Sequence, residues 1–130
     1  MRLTLVFVCL ATPLWAQTPL TADQFAAYVT GKTLTFGGPG QKPYGAEQYL
    51  PGRRVIWTFF DGDCAEGEWY PQDASICFIY DFDPTAQCWQ FFDEPGGLRA
   101  EFMNDPGATV LYEARESADP LACPGPRIGV

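Results

Sequence analysis

Hydrophobic residues have helical spacing near the start of this chain and alternate with polar residues through most of the rest. Phe25, Tyr28 and Val29 fall at i, i+3 and i+4, so they form one apolar stripe on a helix. A Thr-Ala-Asp-Gln capping box precedes the stripe and a glycine follows it. The pattern predicts a short helix over about residues 21–30, which must pack its stripe against the rest of the protein to be stable.

From residue 31 onward, short alternating runs are separated by glycine, proline and aspartate, which are typical of turns. The predicted strands are 32–36, 44–50, 53–60, 64–70, 75–81, 87–92, 98–103 and 109–114. Seven or eight such strands predict a mainly β fold, an antiparallel barrel or sandwich. Because the connections are short, an up-and-down meander is favoured over Greek-key crossings. Residues 17–116 then form one domain, and the irregular tail 117–130 needs a tether.

The alternation also assigns residues to the two faces of the predicted sheet. The apolar face, which we expect to form the core, carries Val55, Trp57, Phe59, Phe78, Tyr80, Trp89, Phe91, Leu98, Ala100 and Phe102. The opposite face carries charged residues together with Cys64, Cys77 and Cys88. Gly67 falls on the inner face, where the missing side chain leaves room for a bend or a large ring.

The first sixteen residues have the three regions of a secretory signal peptide. Met1 and Arg2 form a short positive region, an apolar run extends to Leu14, and Ala16 supplies a small residue at the cleavage position. The alternative is a buried first helix or strand. Because the apolar run is too short to span a bilayer, we expect cleavage near Ala16 and a soluble periplasmic or secreted domain.

Cleavage would remove Cys9 and leave Cys64, Cys77, Cys88 and Cys123. An even number of cysteines in an exported domain predicts two disulfides, for which three connectivities are possible. A zinc site is the alternative, but the sequence has neither a Cys-x-x-Cys pair nor a histidine. Since Cys77 and Cys88 flank one predicted hairpin, we favour a bridge between them and a second bridge that ties Cys123 in the tail to Cys64.

The composition excludes several kinds of chemistry. The 130 residues include 16 acidic and 8 basic side chains and no histidine, for a net charge of −8. This charge argues against nucleic acid or an anionic membrane as the main partner, and the lack of histidine removes Ser-His-Asp and Cys-His catalysis. The acidic stretch 61–73 starts like a calcium loop but has Gln72 at the twelfth position, so we interpret it as a solvated turn. We identify no catalytic residue, metal site or cofactor.

Aromatic residues are the best candidates for ligand contact. A small barrel lined by tryptophan and tyrosine can hold a hydrophobic ligand at its mouth. The candidate residues are Tyr49, Arg53, Trp57, Trp69, Tyr80 and Trp89. The alternatives are that the rings only fill the core and that Arg53 pairs with Glu66 or Glu68 on a neighbouring strand instead of receiving an anionic group.

Several short motifs follow one another along the chain: Gly31-Lys32-Thr33, Gly67-Glu68-Trp69, the apolar run 76–80 and Cys88-Trp89. In these motifs the chain resembles a group of small secreted bacterial proteins of unknown function, with a short N-terminal helix and two cysteines around a hairpin. The general layout is also similar to the meander barrels of lipocalins and avidins. The Gly-x-Trp motif lies mid-chain here and on the first strand in lipocalins, so their ligand sites are not transferred.

We therefore expect a non-enzymatic, exported binding or accessory β-barrel that is monomeric and has no membrane span. Its partner would be a small hydrophobic ligand or a basic exported protein. The alternative is an inhibitor of a basic hydrolase of the lysozyme or protease type, because an acidic surface complements a basic enzyme. A hydrolase that uses two carboxylates is a third, less favoured hypothesis, since sixteen acidic residues make close pairs common.

Overall fold

One helix and eight antiparallel strands follow one another in the part of the chain that the structure describes. The computed structural model describes residues 17–40 and 43–124, so the predicted signal peptide 1–16 lies outside the described residues. The elements are α1 (Ala22–Val29), β1 (Thr33–Gly37), β2 (Pro43–Leu50), β3 (Arg54–Thr58), β4 (Ala65–Gln72), β5 (Ser75–Tyr80), β6 (Asp83–Glu94), β7 (Gly97–Phe102) and β8 (Val110–Ser117). A short 3-10 turn, Pro51–Arg53, connects β2 to β3.

Each strand pairs with the next one in the chain, and β8 pairs back with β1. The eight strands therefore form a closed barrel, which decides between the barrel and the sandwich predicted from the sequence. Closure gives every described strand a hydrogen-bonded neighbour on both sides, so the backbone of the wall is satisfied. The mainly β class, the meander order and the short helix are confirmed.

The helix α1 begins and ends as its sequence predicts. At its start, the Thr21 hydroxyl accepts a hydrogen bond from the Gln24 backbone N–H, and the Gln24 side chain accepts one from the Thr21 N–H. After its end, the Gly31 N–H donates to the carbonyl oxygen of Tyr49 over 2.9 Å. This bond joins the helix exit to the end of β2, so the helix is held at one end of the barrel.

The apolar stripe of α1 closes that end of the barrel. Phe25 and Val29 have no solvent-exposed surface. The ring of Phe25 lies 4.5 Å from the ring of Phe91 and 5.2 Å from that of Trp69, centroid to centroid. An eight-residue helix is unstable alone, so this packing holds it in place.

One predicted turn is wrong. Residues 83–85 were expected to leave the sheet, but β6 begins at Asp83 and the turn consists of Asp81 and Phe82. Pro84 is exposed at the start of β6, where a residue without an N–H is tolerated. The Asp83 carboxylate also accepts a hydrogen bond from the Thr85 N–H, so the local contact typical of an Asp-x-Thr turn forms within the first residues of β6.

Two disulfides are present, Cys77–Cys88 and Cys64–Cys123, which is the connectivity that the sequence favours. Cys77 and Cys88 are register partners on β5 and β6, so the first bridge joins adjacent strands. The second bridge joins residues 59 positions apart and fixes the tail to the loop before β4. Each bridge contributes about 2–4 kcal/mol, in large part by restricting the unfolded chain.

The tail after β8 runs along the outside of β1 and β2. The Thr33 hydroxyl donates to the carbonyl oxygen of Asp119 over 2.7 Å, and the Leu121 N–H donates to Oε1 of Gln48 over 3.0 Å. Ile56 is the register partner of Gln48 and is buried although it lies on the outward side of β3. The tail therefore lies over this part of the wall and is tethered before it reaches its disulfide.

Candidate functional site

A cavity opens at the end of the barrel opposite α1. The meander order places the β1–β2, β3–β4, β5–β6 and β7–β8 connections at this end. The rim of the cavity consists of three aromatic side chains that are half exposed or more: Tyr44, Phe59 and Phe82. The floor consists of three rings that also contact Phe25 of α1: Tyr49, Phe78 and Phe91. The cavity is therefore open to solvent at the rim and closed at the floor.

The size of the cavity limits what it can hold. The cavity has a volume of about 70 Å³, and the empty space reaches about 560 Å³ when the open mouth is included. A small ligand fits with its head inside and the rest at the rim.

Aromatic rings form two sides of the cavity. On one side, Trp57 and Phe59 meet edge to face with their centroids 5.2 Å apart. On the other side, the rings of Phe78, Tyr80 and Phe82 form a stacked row with centroid spacings of 6.4 and 5.8 Å. Flat faces and ring edges are therefore both available to a ligand.

Two glycines make room for these rings. The side chain of Trp57 lies directly over Gly45 of β2, so a Cβ at that position would overlap the indole ring. At Gly67 of β4, a Cβ would overlap the carbonyl oxygen of Ile79 and lie 2.8 Å from Cδ1 of Tyr80. Gly67 thus provides room for a large ring, as its inner-face position predicts, and the ring is that of Tyr80.

The most unusual side chain in the cavity is that of Glu47. This residue lies on β2 between Leu34 of β1 and Trp57 of β3, and only 2% of its surface is exposed. Its Oε1 accepts a hydrogen bond from the Tyr80 hydroxyl over 2.9 Å. Its Oε2 is the one buried side-chain nitrogen or oxygen in residues 17–40 and 43–124 that has no hydrogen-bond partner. A buried carboxyl with one unsatisfied oxygen is costly, so the arrangement calls for a functional explanation.

Burial changes the protonation of this cluster. Removal from water raises the pKa of Glu47 to about 8, against a smaller lowering effect of the Tyr80 hydrogen bond. Burial also raises the pKa of Tyr80 and of Tyr49, and the nearby Glu47 carboxyl adds to both effects. At neutral pH the cluster is therefore mostly uncharged, with a carboxyl that ionises only slightly above neutrality.

The sequence-predicted ligand residues fall into two groups. Four of them line the cavity: Tyr49, Trp57, Tyr80 and Trp89. The other two, Arg53 and Trp69, lie at the closed end, where the Arg53 guanidinium stacks 4.8 Å from the Trp69 ring. Ligand contact by the first group remains a prediction, whereas Trp69 packs against Phe25 of α1 and Arg53 packs on Trp69.

Sequence reasoning missed Glu47, although a signal was present. Tyr49 is one of the predicted ligand-contacting residues, and alternation within β2 puts Glu47 on the same side as Tyr49. Phe59 was expected in the core but is 48% exposed, because β3 ends at Thr58 and the backbone of Phe60 turns through a positive φ of 64°. Phe59 therefore belongs to the rim and not to the core.

The acidic loop after β3 lies near the rim but forms no metal site. The Asp61 carboxylate accepts a hydrogen bond from the Asp63 N–H over 3.1 Å, which is a local turn contact. Within the described parts of the chain, no three cysteine, aspartate or glutamate side chains are close enough together to hold a metal ion. The structure thus contains no calcium-type cluster among these residues.

Comparisons with protein-family models, curated proteins and solved structures found no match. The layout implied by the sequence motifs, an antiparallel meander barrel with two disulfides, is present. Membership of a particular group of secreted proteins is not supported by any of these comparisons. The functional argument therefore depends on the geometry of the cavity.

The raised pKa of Glu47 predicts a specific pH dependence of stability. Between about 4.5 and 8 the unfolded state binds fewer protons at this residue than the folded state, so the free energy of unfolding falls as the pH rises. The loss amounts to a few kcal/mol, at about 1.4 kcal/mol per pH unit, and levels off above the folded pKa. Glu47→Gln removes this contribution, so the variant should gain stability relative to the wild type across that range. Urea unfolding followed by tryptophan fluorescence at a series of pH values measures the free energy of unfolding of both proteins. If the two proteins show the same dependence on pH, the raised pKa of Glu47 is contradicted.

Gly67 and Gly96 provide a matched pair for the packing around Tyr80. Gly67→Ala should lower the free energy of unfolding by about 1–3 kcal/mol, because the new methyl group displaces Tyr80 or the β5 backbone. Gly96→Ala should change it by less than about 1 kcal/mol, because a Cβ there meets no atom within 4 Å. Thermal unfolding of both variants tests this difference, and equal effects would show that Gly67 does not make room for the Tyr80 ring.

Proposed function

We propose that this protein is a non-enzymatic binding protein that takes a small, ring-containing ligand into the open end of its barrel. The observation that carries the proposal is the cavity itself, which is lined by aromatic side chains, closed by α1 and open at the rim. Concave sites with mostly apolar walls and a few polar groups are typical of small-molecule binding. The apolar part of the ligand is a planar ring.

The floor of the cavity supports binding by a preformed site. Tyr49, Phe78 and Phe91 are each in contact with Phe25, which is completely buried, so their positions are set by core packing. A ligand therefore meets walls that are already in place, which lowers the entropy lost on binding. The rim residues are exposed to solvent, and a bound ring would bury their apolar surface.

The carboxyl content of the cavity favours binding over hydrolysis. Glu47 is the one carboxylic acid among the described residues that line it. Glycosidases of the usual kind require two carboxyl groups on either side of the bond that breaks. A single buried carboxyl with a tyrosine hydroxyl on one oxygen is suited to recognising a polar group of a ligand.

An exported location is part of the proposal. Two disulfides fit an extracellular or periplasmic compartment, because cytosolic thiols are kept reduced. Among residues 17–40 and 43–124, no helix has the length and apolar character needed to cross a membrane. Export itself depends on the predicted signal peptide, which cleavage mapping of the secreted chain would test.

The rim offers a matched pair of variants for a binding test. Phe59 lines the cavity, while its neighbour Phe60 is similarly exposed but does not line it. With 2-phenylethanol as the probe, Phe59→Ala should weaken binding about two- to tenfold, the value of one aromatic contact, and Phe60→Ala should leave it unchanged. Quenching of tryptophan fluorescence reports binding, since Trp57 and Trp89 line the cavity.

Two results would overturn the proposal. The first is the absence of saturable binding of 2-phenylethanol and of related single-ring compounds to the wild-type protein. The second is an equal loss of affinity in Phe59→Ala and Phe60→Ala, which would indicate a general surface effect and not occupation of the cavity.

A second candidate function is inhibition of a basic hydrolase, and the loop after β3 favours it. Phe59 and Phe60 are about half exposed there, and the exposed carboxylates of Asp61 and Asp63 follow directly. Exposed aromatic anchors beside negative charge are suited to docking on a basic protein. This function uses the outer surface of the loop and not the interior of the barrel.

Titration against a basic lysozyme or protease distinguishes this second function from ligand binding. Inhibition should reach completion near one equivalent, and Phe60→Ala should weaken it while 2-phenylethanol binding stays unchanged. Enzyme turnover that is independent of added protein across lysozymes and serine proteases would exclude this candidate.

A further inference from the structure

One atom among the residues that line the cavity is left without a hydrogen bond. Glu47 is one of these lining residues, and its Oε2 is buried and has no hydrogen-bond partner among the described residues, whereas its Oε1 already accepts a hydrogen bond from the Tyr80 hydroxyl. An unsatisfied carboxyl oxygen in an apolar site is stabilised most by a donor, and best by a charged donor. A ligand that places such a donor on Oε2 would satisfy this buried oxygen.

The residues around Glu47 suit a positive charge. The cavity is lined by the rings of Trp57, Tyr80 and Trp89 among others, and no lysine or arginine of residues 17–40 and 43–124 lines it. Aromatic faces attract a cation through their quadrupole, most strongly when the cation is removed from water. The chain as a whole has a net charge of −8, so its field also draws cations.

We infer that the ligand is a small arylalkylamine, a ring joined to an amine by a short alkyl chain, bound as its ammonium ion, whose N–H groups donate to Oε2 of Glu47 while its ring lies among the aromatic side chains of the rim. This inference rests on the proposed function and adds the charge and polar group of the ligand. The cavity volume of about 70 Å³ limits what can be enclosed to a small group such as an ammonium on a short chain, and the open mouth, with which the empty space reaches about 560 Å³, has room for the ring.

Ionisation of Glu47 accompanies binding. Among the described residues, the titratable groups that interact with it are the hydroxyls of Tyr80 on β5 and Tyr49 on β2, and both stay neutral because their pKa values are raised. Its neighbours on β1 and β3, Leu34 and Trp57, do not titrate. When the ammonium ion enters at neutral pH, Glu47 loses its proton to the buffer, and the ion pair forms between the carboxylate and the bound cation.

A neutral ligand is the competing possibility. A protonated Glu47 can donate from Oε2 to a carbonyl or hydroxyl oxygen, which would make an uncharged ligand bind as well as an amine. The two possibilities differ in whether a proton is released on binding and in the effect of replacing the Glu47 carboxyl group. Both are measurable with two probes of nearly equal size, 2-phenylethylamine and 2-phenylethanol.

The experiment is isothermal titration of both probes into the whole disulfide-bonded protein, in buffers of different ionisation enthalpy. We expect the wild type to bind the amine at least about tenfold more tightly than the alcohol, as a charge-assisted hydrogen bond requires. We also expect close to one proton to be released per amine bound near neutral pH, and none with the alcohol. Glu47→Gln should abolish both the preference and the proton release while retaining alcohol binding.

Glu66→Gln is the matched control, because it makes the same replacement of a carboxyl group by an amide at an exposed position on β4. This variant should behave as the wild type with both probes. Near-UV circular dichroism establishes that Glu47→Gln keeps its fold, and proton release by the wild type tests the inference independently of any variant.

The possible failures are distinct. If the alcohol binds as tightly as the amine, or the amine releases no proton, the inference is overturned while the proposed function stands. The inference is also overturned if Glu47→Gln keeps the preference for the amine. If neither probe binds, the proposed function fails, and the inference fails with it.

Discussion

The packing of Phe25 inside the barrel is the contact on which the rest of the structure depends. An eight-stranded barrel of this size is either filled by its own side chains or left with a small hollow. Phe25 enters from one end and packs on Tyr49, Phe78 and Phe91, so that half is filled. The same three rings become the floor of the remaining space. One aromatic residue on a short helix thus sets both the closed end and the depth of the cavity.

The remaining hollow is the buried environment that gives Glu47 its raised pKa. An acid on a solvated strand would be ionised and unremarkable, but here the wall of the barrel removes water and raises the pKa to about 8. The Tyr80 hydroxyl satisfies one oxygen, and Gly67 makes that contact possible by leaving room for the ring. The other oxygen is left unsatisfied at a cost in stability. Natural proteins keep such costs chiefly where a ligand or a reaction uses them.

Residue spacing alone predicts a large part of the fold. Alternation, turn residues and the capping box lead to eight strands and one helix, since these signals act over a few neighbouring residues. The cysteine pairing also follows, because Cys77 and Cys88 fall opposite each other across one hairpin. The errors occur where tertiary contacts compete with local signals. Pro84 stays in β6 because the strand start is exposed, and Phe59 leaves the core because β3 ends early.

The candidate site was less predictable than the fold for a physical reason. Sequence determines that Tyr49, Trp57, Tyr80 and Trp89 face inward, because alternation is a property of a single strand. The position of the helix decides which inner residues contact α1 and which line the cavity. For this reason Trp69 and Arg53 lie at the closed end, whereas the other candidates line the cavity. Glu47 and Tyr80 lie 33 residues apart on strands that are not neighbours in the barrel, so only closure of the barrel brings them together.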